Sequence, residues 1–349
     1  PGRLSDYDCD TPQKIMDDVK DINIHWDIAA VIKENGSLWM WGESEEGILG
    51  DNKEISYSQP IKMLDNIKQI MLQSTYAVAI SDDDSLYTWG ENEDGRLGNG
   101  YLTGIVFVPT LILTEVKNVV VDVETSNISV IRKDNSLWKW GSNASGQIGD
   151  GDSEECRYYK LAPVKVLENV KCIASGRYSV AVKLDGSLWG WGYRYDGRMN
   201  QYDMTPRKKM DEVKNVYAHS GGCYVIKEDN TVWNCDVYGY KPVPKQIFDF
   251  DDIDNCFIVD NNYRIAITRI DGSLWVWIPR YAYKITENIT EANIIFVDLD
   301  DKPMDKAQFG DSLPEGYIVH PAFKPSGTDG SKNLKGIWMS KYEPSWVEN

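Results

Sequence analysis

The sequence predicts an all-β protein, a β-propeller of four-stranded antiparallel blades, and three observations carry that prediction. First, the string Leu38-Trp39-Met40-Trp41-Gly42 recurs down the chain at successive spacings of 48, 51, 51, 44 and 42 residues. Second, a pair of turn-forming residues stands before every copy. Third, no repeat unit shows the sustained 3.6-residue periodicity of a helix. Self-similarity at this period means a solenoid, a propeller or an array.

The later copies are Leu86-Tyr87-Thr88-Trp89-Gly90, Leu137-Trp138-Lys139-Trp140-Gly141 and Leu188-Trp189-Gly190-Trp191-Gly192. Two weaker ones follow, Val232-Trp233-Asn234-Cys235 and Leu274-Trp275-Val276-Trp277, the last without its glycine. The turn pairs are Asn35-Gly36, Asp83-Asp84, Asp134-Asn135, Asp185-Gly186, Asp229-Asn230 and Asp271-Gly272. Such residues accept the positive φ of a tight hairpin, so two strands meet at each pair. Upstream of the turn lies a short apolar strand (Ala29 to Ile32, Ala77 to Ile80, Val180 to Val182), and before it another (Ile67 to Leu72, Val116 to Val121, Val170 to Ala174, Val213 to Tyr217). A strand led by proline, as at Pro60 and Pro163, opens each unit. Four short strands joined by turns make one propeller blade.

After each of the first three Trp-Gly pairs comes a second motif: Gly47-Ile48-Leu49-Gly50, Gly95-Arg96-Leu97-Gly98 and Gly146-Gln147-Ile148-Gly149, with a degenerate copy at Gly197-Arg198-Met199-Asn200. Together, Leu-Trp-x-Trp-Gly and Gly-x-Leu-Gly resemble the repeat of the regulator of chromosome condensation family, over about residues 2 to 290. WD repeats would end in Trp-Asp and kelch repeats would carry Gly-Gly, and neither fits. The resemblance implies a propeller, usually of seven blades. Six full repeats plus the stub Gly2-Arg3-Leu4-Ser5 and Pro12-Gln13-Lys14-Ile15 leave six or seven blades, with seven favoured. Tyr283 to Ile285 and Ile294 to Val297 are candidates for outer strands of a closing blade. The expected division is a propeller over 1–297, an acidic linker over 298–312 and the start of a separate C-terminal module over 313–349. Leu313 to Phe323 and Leu334 to Glu343 are similar to segments of tail-associated and surface proteins of phages and prophages.

Composition narrows the function. The chain has 349 residues and a net charge of −17, with 13 Trp, 20 Tyr and only three His. So acidic a chain repels phosphate backbones and anionic lipid, which argues against nucleic acid, and no apolar run reaches the length of a membrane span. Six cysteines without a CxxC pair read as buried thiols. The sequence offers no HExxH, no Gly-x-Ser-x-Gly elbow, no phosphate loop and no Asp-x-Asp-x-Asp-Gly calcium loop. No catalytic, metal or cofactor site is therefore expected, and the chain reads as a monomeric, non-enzymatic propeller. Ten of the 13 Trp fall in the repeated motif and are expected to pack blades together.

Strand order predicts a working face. In an antiparallel meander the loops alternate between the two ends of the blade, so the loop opposite the tight turn lies at the same end as the long loop after Trp-Gly. Recognition residues concentrate on loops held by a rigid scaffold. Counting thirteen residues back from the Leu of each Trp motif gives His25, Gln73, Glu124, Ser175, His219 and Asn261, a polar position in every unit. Neighbouring positions vary (Trp26-Asp27, Ser74-Thr75, Thr125-Ser126, Gly176-Arg177), as do the loops containing Glu45, Glu93 and Tyr193-Arg194-Tyr195. Any one of these residues alone reads as a solvated loop residue; as a surface they read as a site for a protein partner. Trp26, Tyr193, Arg194 and Tyr195 are the candidate anchors, since aromatics and Arg dominate interface energetics. The acidic loops 43–46 and 91–94 would steer a basic partner. What the resemblance implies leaves two further readings, a nucleotide-exchange regulator of a small GTPase and an enzyme inhibitor, with a glycan-active enzyme last.

Overall fold

A computed structural model describes residues 14–43, 46–53, 55–122, 125–151, 158–195, 200–219 and 222–236, together with the strands named below beyond residue 244. The chain divides into two compact units, Pro1–Ala218 with Cys235–Val243, and His219–Asn234 with Pro244–Asn349. The fold is an all-β propeller built of four-stranded antiparallel blades.

In the first unit four sheets follow one another along the chain. They are β1 (Val19–His25), β2 (Ile28–Lys33), β3 (Leu38–Gly42) and β4 (Tyr57–Leu64); then β5 (Ile67–Leu72), β6 (Tyr76–Ser81), β7 (Leu86–Glu91) and β8 (Ile105–Leu113). The third sheet is β9 (Val116–Asp122), β10 (Asn127–Arg132), β11 (Leu137–Ser142) and β12 (Tyr159–Leu167), and the fourth β13 (Val170–Ala174), β14 (Tyr178–Lys183), β15 (Leu188–Tyr195) and β16 (Asn200–Met210). Each sheet is a simple meander in chain order. Next comes β17 (Val213–His219). In the second unit β18 (Gly222–Lys227), β19 (Val232–Asp236) and β20 (Lys245–Phe248) lie side by side. They are followed by β21 (Ile253–Ile258), β22 (Ile265–Arg269), β23 (Leu274–Pro279), β24 (Tyr281–Ile285), β25 (Ala292–Phe296), β26 (Ile318–Val319) and β27 (Gly336–Ser340). Here β27 pairs with β23, Trp277 opposite Trp338, and β24 lies between β25 and β26.

The boundary of a blade differs from the expectation. The proline-bearing strand does not open a unit but closes the preceding sheet: β4 runs antiparallel to β3, with Leu38 opposite Leu64 and Gly42 opposite Tyr57. The long loop after Trp-Gly therefore returns within its own blade. The step to the next blade is made by two-residue turns whose second residue has positive φ, Asn66 at 60°, Glu115 at 59°, Asn169 at 58° and Glu212 at 62°. The proline suits either edge of a meander, and the pairing with β3 decides between them. Without an N–H it cannot serve an interior strand, and Pro60, Pro109, Pro163 and Pro206 all sit on outer strands of their sheets. The innermost strands meet one another instead, and the Leu72 N–H donates to Asn23 Oδ1 at 3.1 Å across β5 and β1.

The tryptophans divide into two jobs. In the second, third and fourth copies the Trp that precedes the glycine is a staple to the blade before it. Trp89, Trp140 and Trp191 are fully buried. Their indole N–H groups donate backwards to the carbonyls of Ile48 at 2.7 Å, Arg96 at 3.0 Å and Gln147 at 2.9 Å. Each acceptor is the second residue of a Gly-x-Leu-Gly loop. The closing glycine of that loop leaves room for the ring: a Cβ on Gly50, Gly98 or Gly149 would stand 2.8, 2.5 or 2.4 Å from the indole. Burial of each ring adds several kcal/mol by area, and the hydrogen bond fixes its orientation. The first Trp lies on the hairpin. Trp39, Trp138 and Trp189 donate to Ser37, Ser136 and Ser187 at 3.0, 2.9 and 2.9 Å, and Trp233 to Thr231 at 2.8 Å. Those hydroxyls donate onward to the Asn or Asp that opens the turn. The hydroxyl bond holds the carboxyls of Asp134, Asp185 and Asp229 below their usual range.

The staple makes a comparison between two glycines decisive. Gly98→Ala puts a methyl into the Trp140 ring and is expected to cost about 1–3 kcal/mol in overpacking, beyond the strain of positive φ. Gly100 also has positive φ, 90°, but nothing lies within 4 Å of its Cβ position. Gly100→Ala should therefore lower the melting temperature clearly less than Gly98→Ala; equal losses would overturn the packing role of the loop glycine.

Candidate functional site

The meander places the β1–β2, β5–β6, β9–β10 and β13–β14 connections at the same end of their sheets as the long loops after Trp-Gly, and the tight turns at the other end. At that loop end His25 is the last residue of β1, Gln73 follows β5, Ser175 follows β13 and His219 ends β17. The equal-phase polar positions thus stand at corresponding ends of innermost strands. Glu45 and Glu124 lie outside the described residues. Asn261 does too.

Two close approaches build this end of each blade. The glycine of Trp-Gly has φ of 119° at Gly42, 101° at Gly90, 97° at Gly141 and 107° at Gly192. A Cβ there would meet the carbonyl oxygen of Asp27, Thr75, Ser126 or Arg177 at 1.9 to 2.4 Å. The next residue donates its N–H to that carbonyl, as Glu43 to Asp27 at 3.2 Å, Glu91 to Thr75 at 2.9 Å and Tyr193 to Arg177 at 2.9 Å. Only glycine lets the two loops of a blade touch. Asn92 then folds the long loop, accepting from the Leu97 N–H at 3.0 Å and donating to the Tyr101 carbonyl at 2.8 Å. Asn143 accepts from Ile148 N–H at 3.0 Å in the next blade.

The individual candidates differ in environment. Trp26 and Asp27 are the two tip residues of the β1–β2 hairpin, where His25 pairs with Ile28. Trp26 is 85% exposed and holds a φ of 49°. His25 is half-buried, its ring 6.4 Å from that of Trp26, and its Nδ1 is buried without a hydrogen-bond partner among the described residues. Gln73 is half-buried and its N–H donates to the Tyr76 carbonyl at 2.9 Å. Arg177 is exposed. Glu93 is exposed in a short 3-10 turn, Glu93–Gly95. Tyr193, Arg194 and Tyr195 are not in a loop: they extend β15 and pair with Tyr202, Gln201 and Asn200. The reason is visible in the sequence, since β-favouring aromatics run on past Gly192, and Asn200, where a loop glycine stands in other units, opens β16.

Beneath these residues lies a buried polar seam that the sequence reading missed. Arg96, almost fully buried, binds Glu93 Oε2 and the Glu93 carbonyl, both at 2.8 Å, and Thr75 Oγ1 at 3.3 Å; Glu91 lies 3.5 Å away. Its guanidinium sits 5.5 Å from the Tyr76 ring centre. It thereby clamps the long loop of the second blade to the loop ahead of β6. Burial pushes the Tyr76 phenol far above its usual range, against the opposing charge of Arg96. In the third blade Thr125 donates to Asp122, and Asn127 to Thr125. Lys139 is fully buried and reaches into the fourth blade, donating to Ser179 Oγ at 2.7 Å and Ser175 Oγ at 3.3 Å, 5.4 Å from the Trp191 ring centre. Burial lowers its amine to about 7, with Asp122 drawing it back up. Strand alternation was the available signal. In Leu137-Trp138-Lys139-Trp140 the Trp140 indole bonds back to the second blade, so Lys139 must face the fourth. Among the described residues no three His, Cys, Asp or Glu side chains are arranged to hold a metal ion, and no helix is long and apolar enough to cross a membrane.

These features define the class: a repeat propeller with an RCC1-like fold. Residues 83–127 match the model of the regulator of chromosome condensation (RCC1) repeat. Over 96 residues the chain is 30% identical to the ultraviolet-B receptor UVR8 of Arabidopsis thaliana, covering 26% of this chain and 21% of that protein. It spans about a fifth of the length of the first curated relatives it matches. Human WBSCR16 superposes with a TM-score of 0.54 at 17% identity over 72% of this chain and 73% of its own. Prp20p of Saccharomyces cerevisiae superposes with a TM-score of 0.50 at 20% identity, over 69% and 66%.

The seam yields a pH test. Between about 7 and 10.5 the unfolded chain keeps Lys139 protonated while the folded chain does not, so this residue makes stability rise with pH across that window, at about 1.4 kcal/mol per unit at most. Below pH 7 the full cost of a buried cation remains. In Lys139→Met both serines keep another partner, Ser175 with Ser129 at 2.7 Å and Ser179 with the Gln147 carbonyl at 3.0 Å. Lys139→Met should therefore melt higher than the parent at pH 7, with the gap closing toward pH 10. Parallel curves of melting temperature against pH would contradict the assignment.

Proposed function

We propose that the chain is a non-enzymatic binding module that recognises a protein partner through the loop end of its blades. One observation carries the reading: a constant set of glycine contacts and indole staples supports connections whose exposed residues change from blade to blade. Trp26-Asp27 tip the first blade, Ser74 the second and Arg177 the fourth. A rigid frame with variable exposed ends offers many distinct contacts at low ordering cost, which suits recognition of a macromolecule. The acidic residues at that end, Asp27, Glu43, Glu91 and Glu93, favour a basic partner. The likeness of residues 313–343 to phage and prophage segments supports a bacterial or phage surface protein as the setting.

A second reading is regulatory. The yeast propeller Prp20p binds Gsp1p and histones, and a chain of the same fold is a candidate regulator of a nucleotide-exchange partner. Accelerated GDP release from a small GTPase would favour that role over scaffold binding.

The loop-end reading is tested with paired variants once a partner is in hand. Arg177→Glu together with Ser74→Lys, both at exposed loop-end positions, should weaken the complex 10-fold or more with little change in melting temperature. Leu184→Asp, at an exposed position of an opposite-end turn, should leave it intact. Loss of binding in the turn variant alone would move the site to the other end.

A further inference from the structure

Tryptophan in this protein is repeatedly paired with a cation. Arg132 lies 5.9 Å from the Trp138 ring centre, Lys183 5.2 Å from Trp189 and Lys227 5.7 Å from Trp233. Among the described residues Trp39, Trp41, Trp89 and Trp140 have no such cation, and neither has Trp26; what sets Trp26 apart is its exposure. It is the most exposed of the described large apolar residues, at 85%, and among the described residues no cation stands over its ring. It also holds a left-handed backbone at 49°, which a bulky side chain adopts at a cost and which sets the indole on the tip of a two-residue hairpin. Acidic residues are joined to it at the hairpin. Asp27 is the next residue and is exposed, and exposed Glu43 is tied to it through the Glu43 N–H to Asp27 carbonyl bond at 3.2 Å. That bond depends on Gly42, where a Cβ would stand 1.9 Å from the Asp27 oxygen.

We propose that Trp26, flanked by Asp27 and Glu43, is a recognition site for a cationic side chain, arginine or lysine, presented by the protein partner. The indole face attracts the cation through its quadrupole, and the two carboxylates add directional charge beside it. The ring is already outside the core and its hairpin already fixed, so little ordering accompanies binding. The site supplies the chemical identity of one contact in the binding surface proposed above, and rests on that reading for its biological partner.

The experiment uses the full chain with octa-arginine, octa-lysine and the neutral isostere octa-citrulline. Binding is followed by anisotropy of labelled peptide and by the 15N-indole spectrum, with the Trp26 resonance assigned from Trp26→Phe. A cationic peptide should move the Trp26 indole resonance, and octa-citrulline should not. Trp26→Leu should weaken cationic-peptide binding at least 5-fold without lowering the melting temperature, and Trp26→Phe should fall between. Asp27→Asn with Glu43→Gln should weaken it comparably and flatten its salt dependence. Tighter binding of octa-arginine than octa-lysine would identify arginine as the ligand, and the reverse lysine. Affinity unchanged within 2-fold in Trp26→Leu, or a Trp26 resonance unmoved at saturation, would overturn the site. Intact partner binding in Arg177→Glu with Ser74→Lys, alongside Trp26-dependent peptide binding, would leave this site standing and remove the wider loop-end reading.

Discussion

The architecture of the first unit depends on one contact repeated between blades: a buried indole N–H donating to a carbonyl in the loop of the blade before it. The contact needs three parts at once. A Trp must stand within a strand with its ring facing backwards, a loop must turn its carbonyl inwards, and a glycine must stand where any side chain would strike the ring. Trp89 with Gly50, Trp140 with Gly98 and Trp191 with Gly149 meet all three conditions. A sheet of four strands has two faces to cover, and neighbour-to-neighbour contacts of this kind cover them without any single central core, as expected of repeat architectures.

Legibility in the sequence follows the same division. Motifs that recur in every blade are readable because their constraint is local: Trp-Gly, Gly-x-Leu-Gly and the Asp-x-Ser turn can be recognised without knowing what lies across the interface. The phase of His25, Gln73, Ser175 and His219 was readable for the same reason. What escaped was non-local. Lys139 occupies a position filled by Met40, Thr88 and Gly190 in other blades, and its burial depends on Ser175 and Ser179 some forty residues on. Arg96 looks like an exposed loop residue in sequence and becomes a clamp only because Thr75, Tyr76 and Glu91 converge on it. The proline-bearing strands were found but given to the wrong blade, since hairpin return and crossover have the same loop length in sequence. Tyr193 to Tyr195 were read as loop because the glycine motif set the boundary; strand pairing with 200–202 outweighed it.

The polar seam and the loop end are connected by construction. Arg96 holds its side chain on Glu93 and Thr75 while its backbone carbonyl receives the Trp140 indole. One residue therefore anchors an exposed loop and an interface between blades. Gln147 repeats the backbone half of this arrangement, its carbonyl accepting from both Trp191 and Ser179. Loops fixed in this way have little freedom left to lose, whereas the hairpin tip at Trp26 projects free of the seam.

The proline of each outer strand has a further meaning for encounters between molecules. An outer strand is a ladder with one side open, and open ladders invite another chain to add itself as the next strand. A residue without an N–H breaks the row of donors at Pro60, Pro109, Pro163 and Pro206 alike. The rim of every blade in this unit is thereby made a poor template for strand addition. Along these four outer strands it is side chains, and not a row of open backbone donors, that meet another molecule.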